Sequence, residues 1–409
     1  LITRTGMNKI LLNREISLKQ SVNLPTSKSI INRLLILQYF IKHSFDIVDL
    51  SEADDTHILK KITAQNFNCS LVDVKNAGTC FRFLTALFAS QPGEVILTGS
   101  KDMKNRPIKE LVDGLRQLGA EIQYMEKEGF PPLRIEGKKL RGDSVSINAS
   151  VSSQYVSAML LIAPFLENGL TVIQEGEIKS QSYTKMTISL LRKIGVEVKE
   201  EGNEITIVPV SNSYHLPITV EKDWSSVSYW YEYISLSPLH SKLQLNGVKI
   251  FSIQGDSEIK SLFKKLGITT LEGSTGIEIV KTKQVTDLYF EHDFSSIPDM
   301  VQTFAVTLAG LGLNGKFTGI SHLIYKETNR IEALKAELSK LNYELKLIDN
   351  DSFELVKRGE LPNKVFINTY KDHRMAMAFA PLVALIDEVE IENPEVVVKS
   401  YPGFWEEFC

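Results

Sequence analysis

Residues 108–122 read IKELVDGLRQLGAEI. Leu115 and Leu118 share one helical face, Gly119 stops the helix, and the chain then alternates as a strand. The pattern recurs as TKMTISLLRKIGVEV at 184–198, EIKSLFKKLGITT at 258–270 and RIEALKAELSKLNYEL at 330–345. The stops Gly119, Gly195, Gly267 and Asn342 lie 76, 72 and 75 residues apart. Gly and Asn tolerate the left-handed backbone that ends a helix, so these residue types suit that place. Leu115, Leu191, Phe263 and Leu338 stand four residues before each stop, and Leu118, Ile194, Leu266 and Leu341 stand one before. A weaker copy lies around 58–70.

A second element alternates with the first. Six apolar helical stretches open with small or polar clusters: TSKS (26–29), NAGT (76–79), SSQ (152–154), DWSS (223–226), DFSS (293–296) and KDH (371–373). Strand-like segments such as EVILTG, SVSIN, EITIVPV, GIEIV and KVFIN separate the helices. A period of about 75 residues is too long for a solenoid repeat. It predicts an α/β (α+β) protein in which a larger unit repeats in two groups of three.

The chain of 409 residues leaves room for two or three domains. With 43% hydrophobic and 23% charged residues it builds real cores, which excludes disorder and collagen-like structure. A net charge of −4 gives no reason to expect nucleic acid or an anionic membrane as a partner by bulk electrostatics. Cys69, Cys80 and Cys409 are too scattered for a disulfide framework or a zinc site, and the seven histidines form no HExxH cluster. The expectations are no metal and a reducing, cytoplasmic setting. The longest apolar run, about Met375–Ile386, is too short to cross a bilayer and is interrupted by Pro381.

Near the polar openings sit Lys28, Arg33, Arg82, Arg106, Lys326, Arg330, Arg374 and Lys399. A cation at the start of a helix opposes the helix dipole, at a cost of a few tenths of a kcal/mol or more. A charge-assisted hydrogen bond contributes about 1.5–3 kcal/mol, so an anionic ligand readily offsets that cost. Helix N-termini beside fixed cations therefore point to phosphate or carboxylate ligands. Asp299 in SSIPDM and Glu327 in YKETNR are the candidate acid–base groups.

LPTSKSIINR, NAGTCFRFLTAL, NRPIKELVDGLRQLGA, SVSSQYVSAMLL, IPDM, KETNRI, DHRMAMAFA and KSYPGFWE follow one another along the chain. In that order they resemble the 5-enolpyruvylshikimate-3-phosphate (EPSP) synthase family, the 3-phosphoshikimate 1-carboxyvinyltransferases, over about residues 10–408. The resemblance implies the enolpyruvyl transferase fold, a two-domain inside-out α/β barrel with three βαβαββ units per domain. It divides the chain into 1–25 with 222–409, and 26–221, with the active site in the cleft between them. It implies transfer of the enolpyruvyl group of phosphoenolpyruvate to the 5-hydroxyl of shikimate 3-phosphate, without cofactor.

By resemblance, shikimate 3-phosphate is held by Lys28, Ser29, Arg33, Ser152, Ser153, Gln154, Ser180, Tyr183, Asp299, His322 and Lys326. Phosphoenolpyruvate falls to Lys28, Gly78, Arg106, Gln154, Arg330, Arg374 and Lys399. Asp299 is the implied base on the 5-hydroxyl, and Glu327 and Lys28 are both candidates for protonating the vinyl carbon. Glyphosate is an expected inhibitor and a monomer the expected state. The chain departs from the family pattern at Thr26, where Gly is frequent, at His322 for Asn and at Asn329 for Asp. DWSSVSYWYEY carries bulky aromatics where small residues are usual, which predicts altered packing near the hinge and unaltered chemistry. The sister enzyme acting on UDP-N-acetylglucosamine is disfavoured, because Lys101 stands five residues before Arg106 where that enzyme has Cys. RNA 3′-phosphate cyclase lacks support from charge, and a non-catalytic homologue sits poorly with intact Lys28, Asp299, Glu327 and Arg374.

Overall fold

The computed structural model describes residues 2–4, 8–14, 19–41, 45–64, 71–210 and 217–408. Cys69, Cys409 and the end of the weak 58–70 repeat lie outside the described residues. The chain divides into two compact units, Leu1–Ser27 with Glu221–Cys409, and Lys28–Val220.

In the contiguous unit, strands Leu71–Asp73 and Gly93–Thr98 pair in parallel around the helix Gly78–Ala89. The helix Lys109–Gln117 follows, then a hairpin of Glu121–Tyr124 and Leu133–Gly137 that closes a four-stranded sheet. Residues 144–207 repeat this βαβαββ order around the helices Ser153–Ile162 and Gln181–Lys193. A parallel pair, Ile47–Val48 with Ile218–Thr219, forms a third, smaller sheet.

The other unit carries three four-stranded sheets built on the same plan. Strand Ser21–Asn23 pairs in parallel with Lys242–Asn246, and Lys9–Asn13 pairs antiparallel with Glu388–Glu392. The first strands of the chain thus complete sheets made by much later segments.

The two helix types named by the repeat differ in burial. Helices such as Gly78–Ala89, Trp224–Leu236 and Val301–Leu311 are buried on nearly every side, as an all-round apolar helix must be. Lys109–Gln117 buries only the stripe Leu111, Val112 and Leu115, with Gly114 between them. The stops behave as the residue types predict: φ is 87° at Gly119, 86° at Gly195, 87° at Gly267 and 60° at Asn342. One opening differs. The helix after DFSS begins at Val301, preceded by a 3-10 turn over Pro298–Met300, so Asp299 lies in that turn. Pro298 fixes φ and lacks a donor, which suits the first position of such a turn.

Candidate active site

In the contiguous unit, Lys28 opens the helix Lys28–Phe40, and its Nζ lies 3.2 Å from Asp55 Oδ2. Arg33 is buried in the same helix. Its guanidinium donates to Thr187 Oγ1 and to the Ser29 carbonyl, both at 2.7 Å. It also reaches Ser157 Oγ at 3.2 Å and the Tyr183 carbonyl at 3.3 Å. Burial lowers its pKa to about 10, which leaves it a cation at neutral pH. Arg33, Ser29 and Tyr183 therefore form one network, in which the protein itself occupies Arg33 donors.

Arg82 braces the turn that carries Arg106. Its Nη1 donates to the Gly78 carbonyl at 3.1 Å and its Nη2 to the Pro107 carbonyl at 2.9 Å. Tyr155 Oη donates to the same Pro107 carbonyl at 2.6 Å. This brings Arg106 against Gly78: a Cβ on Gly78 would stand 2.6 Å from Arg106 Cζ. The Arg106 guanidinium thus lies where a side chain at residue 78 would begin.

Ser152 caps the helix Ser153–Ile162 by accepting from the Gln154 amide at 3.2 Å. The Gln154 side chain donates to Thr79 Oγ1 at 3.0 Å, tying it to the Gly78 helix. Ser180 precedes the helix Gln181–Lys193 at φ 55°, and its side chain makes no capping bond. Lys179 beside it is buried, with Glu177 at 3.4 Å.

In the discontinuous unit, Arg330 holds three carboxylates while itself only 1% exposed. Its Nε donates to Asp372 at 2.8 Å, Nη1 to Asp299 at 2.8 Å and Nη2 to Glu327 at 3.1 Å. Arg374 Nη2 donates to the other oxygen of Asp299 at 2.8 Å, and Lys326 stands 3.7 Å from Asp299. Lys399 donates to Glu327 at 2.7 Å. Asp372 caps the helix His373–Phe379 by accepting from the Arg374 amide at 2.9 Å, so one carboxylate fixes the backbone of one arginine and the side chain of the other.

Burial alone would raise the Asp299 pKa, but Arg374, Lys326 and Arg330 outweigh it and hold the carboxyl well below the usual range. Burial works against the Arg330 charge in the same way, and Asp372, Glu327 and Asp299 reverse that too. His322 is buried on the 3-10 turn Ser321–Tyr325. Asn329 caps the helix Arg330–Ser339 by accepting from the Glu332 amide at 3.3 Å, a task for which Asn and Asp are equivalent.

The aromatic helix after Asp223 spans core and charged cluster. Trp230 and Tyr233 pack on Phe408, and Trp230 also on Phe404, deep in this unit's core. The same helix reaches the charged cluster, with Tyr229 Oη 3.4 Å and Ser225 Oγ 3.2 Å from Arg374. The helix thus contributes contacts to the charged cluster as well as to the core.

Sequence reasoning missed Ser225, Tyr229, Asp256, Asp372, Asp55 and Lys179. Ser225 and Ser226 both lie in the DWSS cluster, and the sequence does not tell them apart. Ser226 is engaged locally, its hydroxyl donating to Asp223 at 2.7 Å. Among the described residues, no group of three or more His, Cys, Asp or Glu is arranged to hold a metal ion. Nor is any helix among them long and apolar enough to cross a membrane.

The chain is 43% identical over 403 residues to a Bacteroides fragilis (strain YCH46) protein named 3-phosphoshikimate 1-carboxyvinyltransferase, covering 97% of this chain and 96% of that one. A Haemophilus influenzae (strain Rd) protein of the same name is 33% identical over 435 residues, covering 98% of each. Among solved structures, EPSP synthase from Acinetobacter baumannii superposes with a TM-score of 0.75 at 21% identity, over 98% of this chain and 97% of that one. The enolpyruvyl transferase NikO from Streptomyces tendae gives 0.74 at 13% identity, over 99% and 97%. At those identities the two structures establish the fold, that of the enolpyruvyl transferases. Residues 59–408 match the family described as EPSP synthase (3-phosphoshikimate 1-carboxyvinyltransferase), and with these full-length relatives the chain belongs to that family.

Proposed function

We propose that the clustered residues carry out the family reaction, transfer of the carboxyvinyl group of phosphoenolpyruvate to the 5-hydroxyl of shikimate 3-phosphate. As a member of this family the chain is an enolpyruvyl transferase of aromatic biosynthesis, and these two compounds are its substrates. The observation that carries the residue assignment is the cluster of Lys326, Arg330, Arg374 and Lys399 around Asp299 and Glu327. Such a cluster offers the positive charge that doubly anionic substrates need, with carboxylates inside it that suit proton transfer.

In this reading Asp299 takes the 5-hydroxyl proton as the oxygen attacks C2 of phosphoenolpyruvate. An acid, Glu327 or Lys28, delivers a proton to the methylene carbon. The tetrahedral adduct then loses phosphate by C–O cleavage and a methyl proton to a base, restoring the vinyl group. Arg106, Arg330, Arg374 and Lys399 bind the phosphoenolpyruvate anion, with Gly78, Lys28 and Gln154 beside it. Ser152, Ser153, Ser180 and Gln154 bind shikimate 3-phosphate, with Lys28, Ser29, Arg33, Tyr183, His322 and Lys326. The reading carries with it a monomer, a cytoplasmic location and inhibition by glyphosate.

The test is phosphate release by purified, folded protein given both substrates. Release that requires both supports the reading, and none from folded protein overturns it.

A further inference from the structure

Arg374 does not stand on Asp299 alone. Its Nη2 also donates to Ser225 Oγ at 3.2 Å, and the Ser225 hydroxyl donates to Asp256 Oδ2. Asp256 sits on the 3-10 turn Gly255–Glu258 and is buried, and its Oδ1 has no hydrogen-bond partner among the described residues.

The plain reading is that Asp256 steadies the start of the helix Trp224–Leu236. The local bonds argue otherwise, because that start is already supplied. Asp223 accepts from the Ser226 amide at 3.2 Å as the cap. Gln254 Oε1 accepts from the Trp224 amide at 3.1 Å, while Gln254 Nε2 donates to the Lys222 carbonyl at 2.8 Å. Asp256 has a side-chain hydroxyl as its partner instead of a backbone N–H. By taking the Ser225 hydrogen it turns that oxygen's lone pairs toward Arg374. A hydroxyl with no acceptor would be free to rotate and present its own hydrogen to the guanidinium.

We propose that Asp256 and Ser225 are positioning residues, a relay that fixes the Arg374 guanidinium in the orientation that receives the phosphoenolpyruvate anion. Arg374 Nη1 lies 3.4 Å from Tyr229 Oη, so the same helix steadies both arms of the fork. The relay separates two tasks for Arg374: Asp299 supplies the opposite charge, and Ser225 supplies the direction. This rests on the reading of Arg374 as a phosphoenolpyruvate ligand.

The test measures KM for phosphoenolpyruvate, kcat and the Kd of shikimate 3-phosphate in Ser225→Ala, Asp256→Ala, the double variant and Arg374→Lys. Losing one charge-supported hydrogen bond predicts a rise of about tenfold in KM for phosphoenolpyruvate in each single variant. The double variant should be no worse than the worse single one, since both break one chain. Binary shikimate 3-phosphate affinity should stay within about twofold, which general loosening of the fold would not preserve. An unchanged KM in Ser225→Ala, or equal losses for both substrates, overturns the relay. If KM is also unchanged in Arg374→Lys, the assignment of Arg374 has failed; if only that variant weakens binding, the relay alone has failed. Should Asp256→Ala not fold, Ser225→Ala decides.

Discussion

Arg330 Nη1 donates to Asp299 Oδ1 at 2.8 Å, so the carboxylate read as the base is already held by a cation read as a substrate ligand. A carboxylate gripped this way is a weak base. In the proposed reading, phosphoenolpyruvate competes for the arginines and so strengthens this base, coupling its binding to proton abstraction. Asp299→Ala should lower turnover by about 10²–10⁴-fold with little loss of shikimate 3-phosphate binding. Near-normal turnover would remove Asp299 from that role.

Arg330 is also a stability element. Arg330→Met leaves Asp372, Asp299 and Glu327 without their shared partner, and a broken buried pair costs about 3–5 kcal/mol. A denaturant midpoint within error of the parent would contradict this. The depressed Asp299 pKa gives the pH sign. Its contribution is complete above the unfolded-state value near 3.8 and is lost as pH falls through the lower folded value. Acid unfolding should therefore begin at higher pH in the Arg330→Met variant than in the parent.

Gly78→Ala puts a methyl group into the Arg106 guanidinium, which must move aside. The expected result is weaker binding of both phosphoenolpyruvate and glyphosate, with the larger loss for glyphosate. An unchanged glyphosate inhibition constant refutes the steric argument.

Arg106→Ala separates the substrates. Phosphoenolpyruvate should bind about tenfold to a hundredfold more weakly, the value of a charge-assisted bond, while binary shikimate 3-phosphate binding persists. Equal loss of both, by calorimetry, counts against the assignment.

Glu232 lies in the core of the helix Trp224–Leu236 with neither carboxylate oxygen hydrogen-bonded among the described residues. Burial pushes its pKa well above the ordinary value of 4.5. The folded state thus keeps the proton that the unfolded chain releases, and stability falls as pH rises past the unfolded value. Glu232→Gln should raise the thermal midpoint at pH 7 and gain much less near pH 4. A gain independent of pH would show that the carboxyl is not protonated in the fold.

What the sequence reveals and what it hides divides along separation in the chain. Gly119, Gly195, Gly267 and Asn342 were legible because a left-handed φ is a local demand that few residue types meet. The cations were legible as a set, because charge at the start of an apolar helix is anomalous where it stands. Their partners were not. Asp299 and Asp372 meet on Arg330 from positions 31 and 42 residues away, and Asp256 reaches Ser225 from 31 away. No local pattern marks such a meeting. Arg82 and Arg106 show the same limit: both stood out as cations, but only the fold distinguishes the one that braces from the one braced.

The pairing of Lys9–Asn13 with Glu388–Glu392 sets an order of events at the ribosome. The described strands between residues 28 and 220 pair with one another, so this unit can fold as soon as it emerges. The strand Lys9–Asn13 meets its neighbour Glu388–Glu392 late, because that neighbour is translated some 375 residues after it. Until then only its other edge, toward Ile2–Arg4, has a neighbour, and the edge that later meets Glu388–Glu392 is open to another chain. Refolding from denaturant should accordingly show the middle of the sequence protected from hydrogen exchange before either terminus.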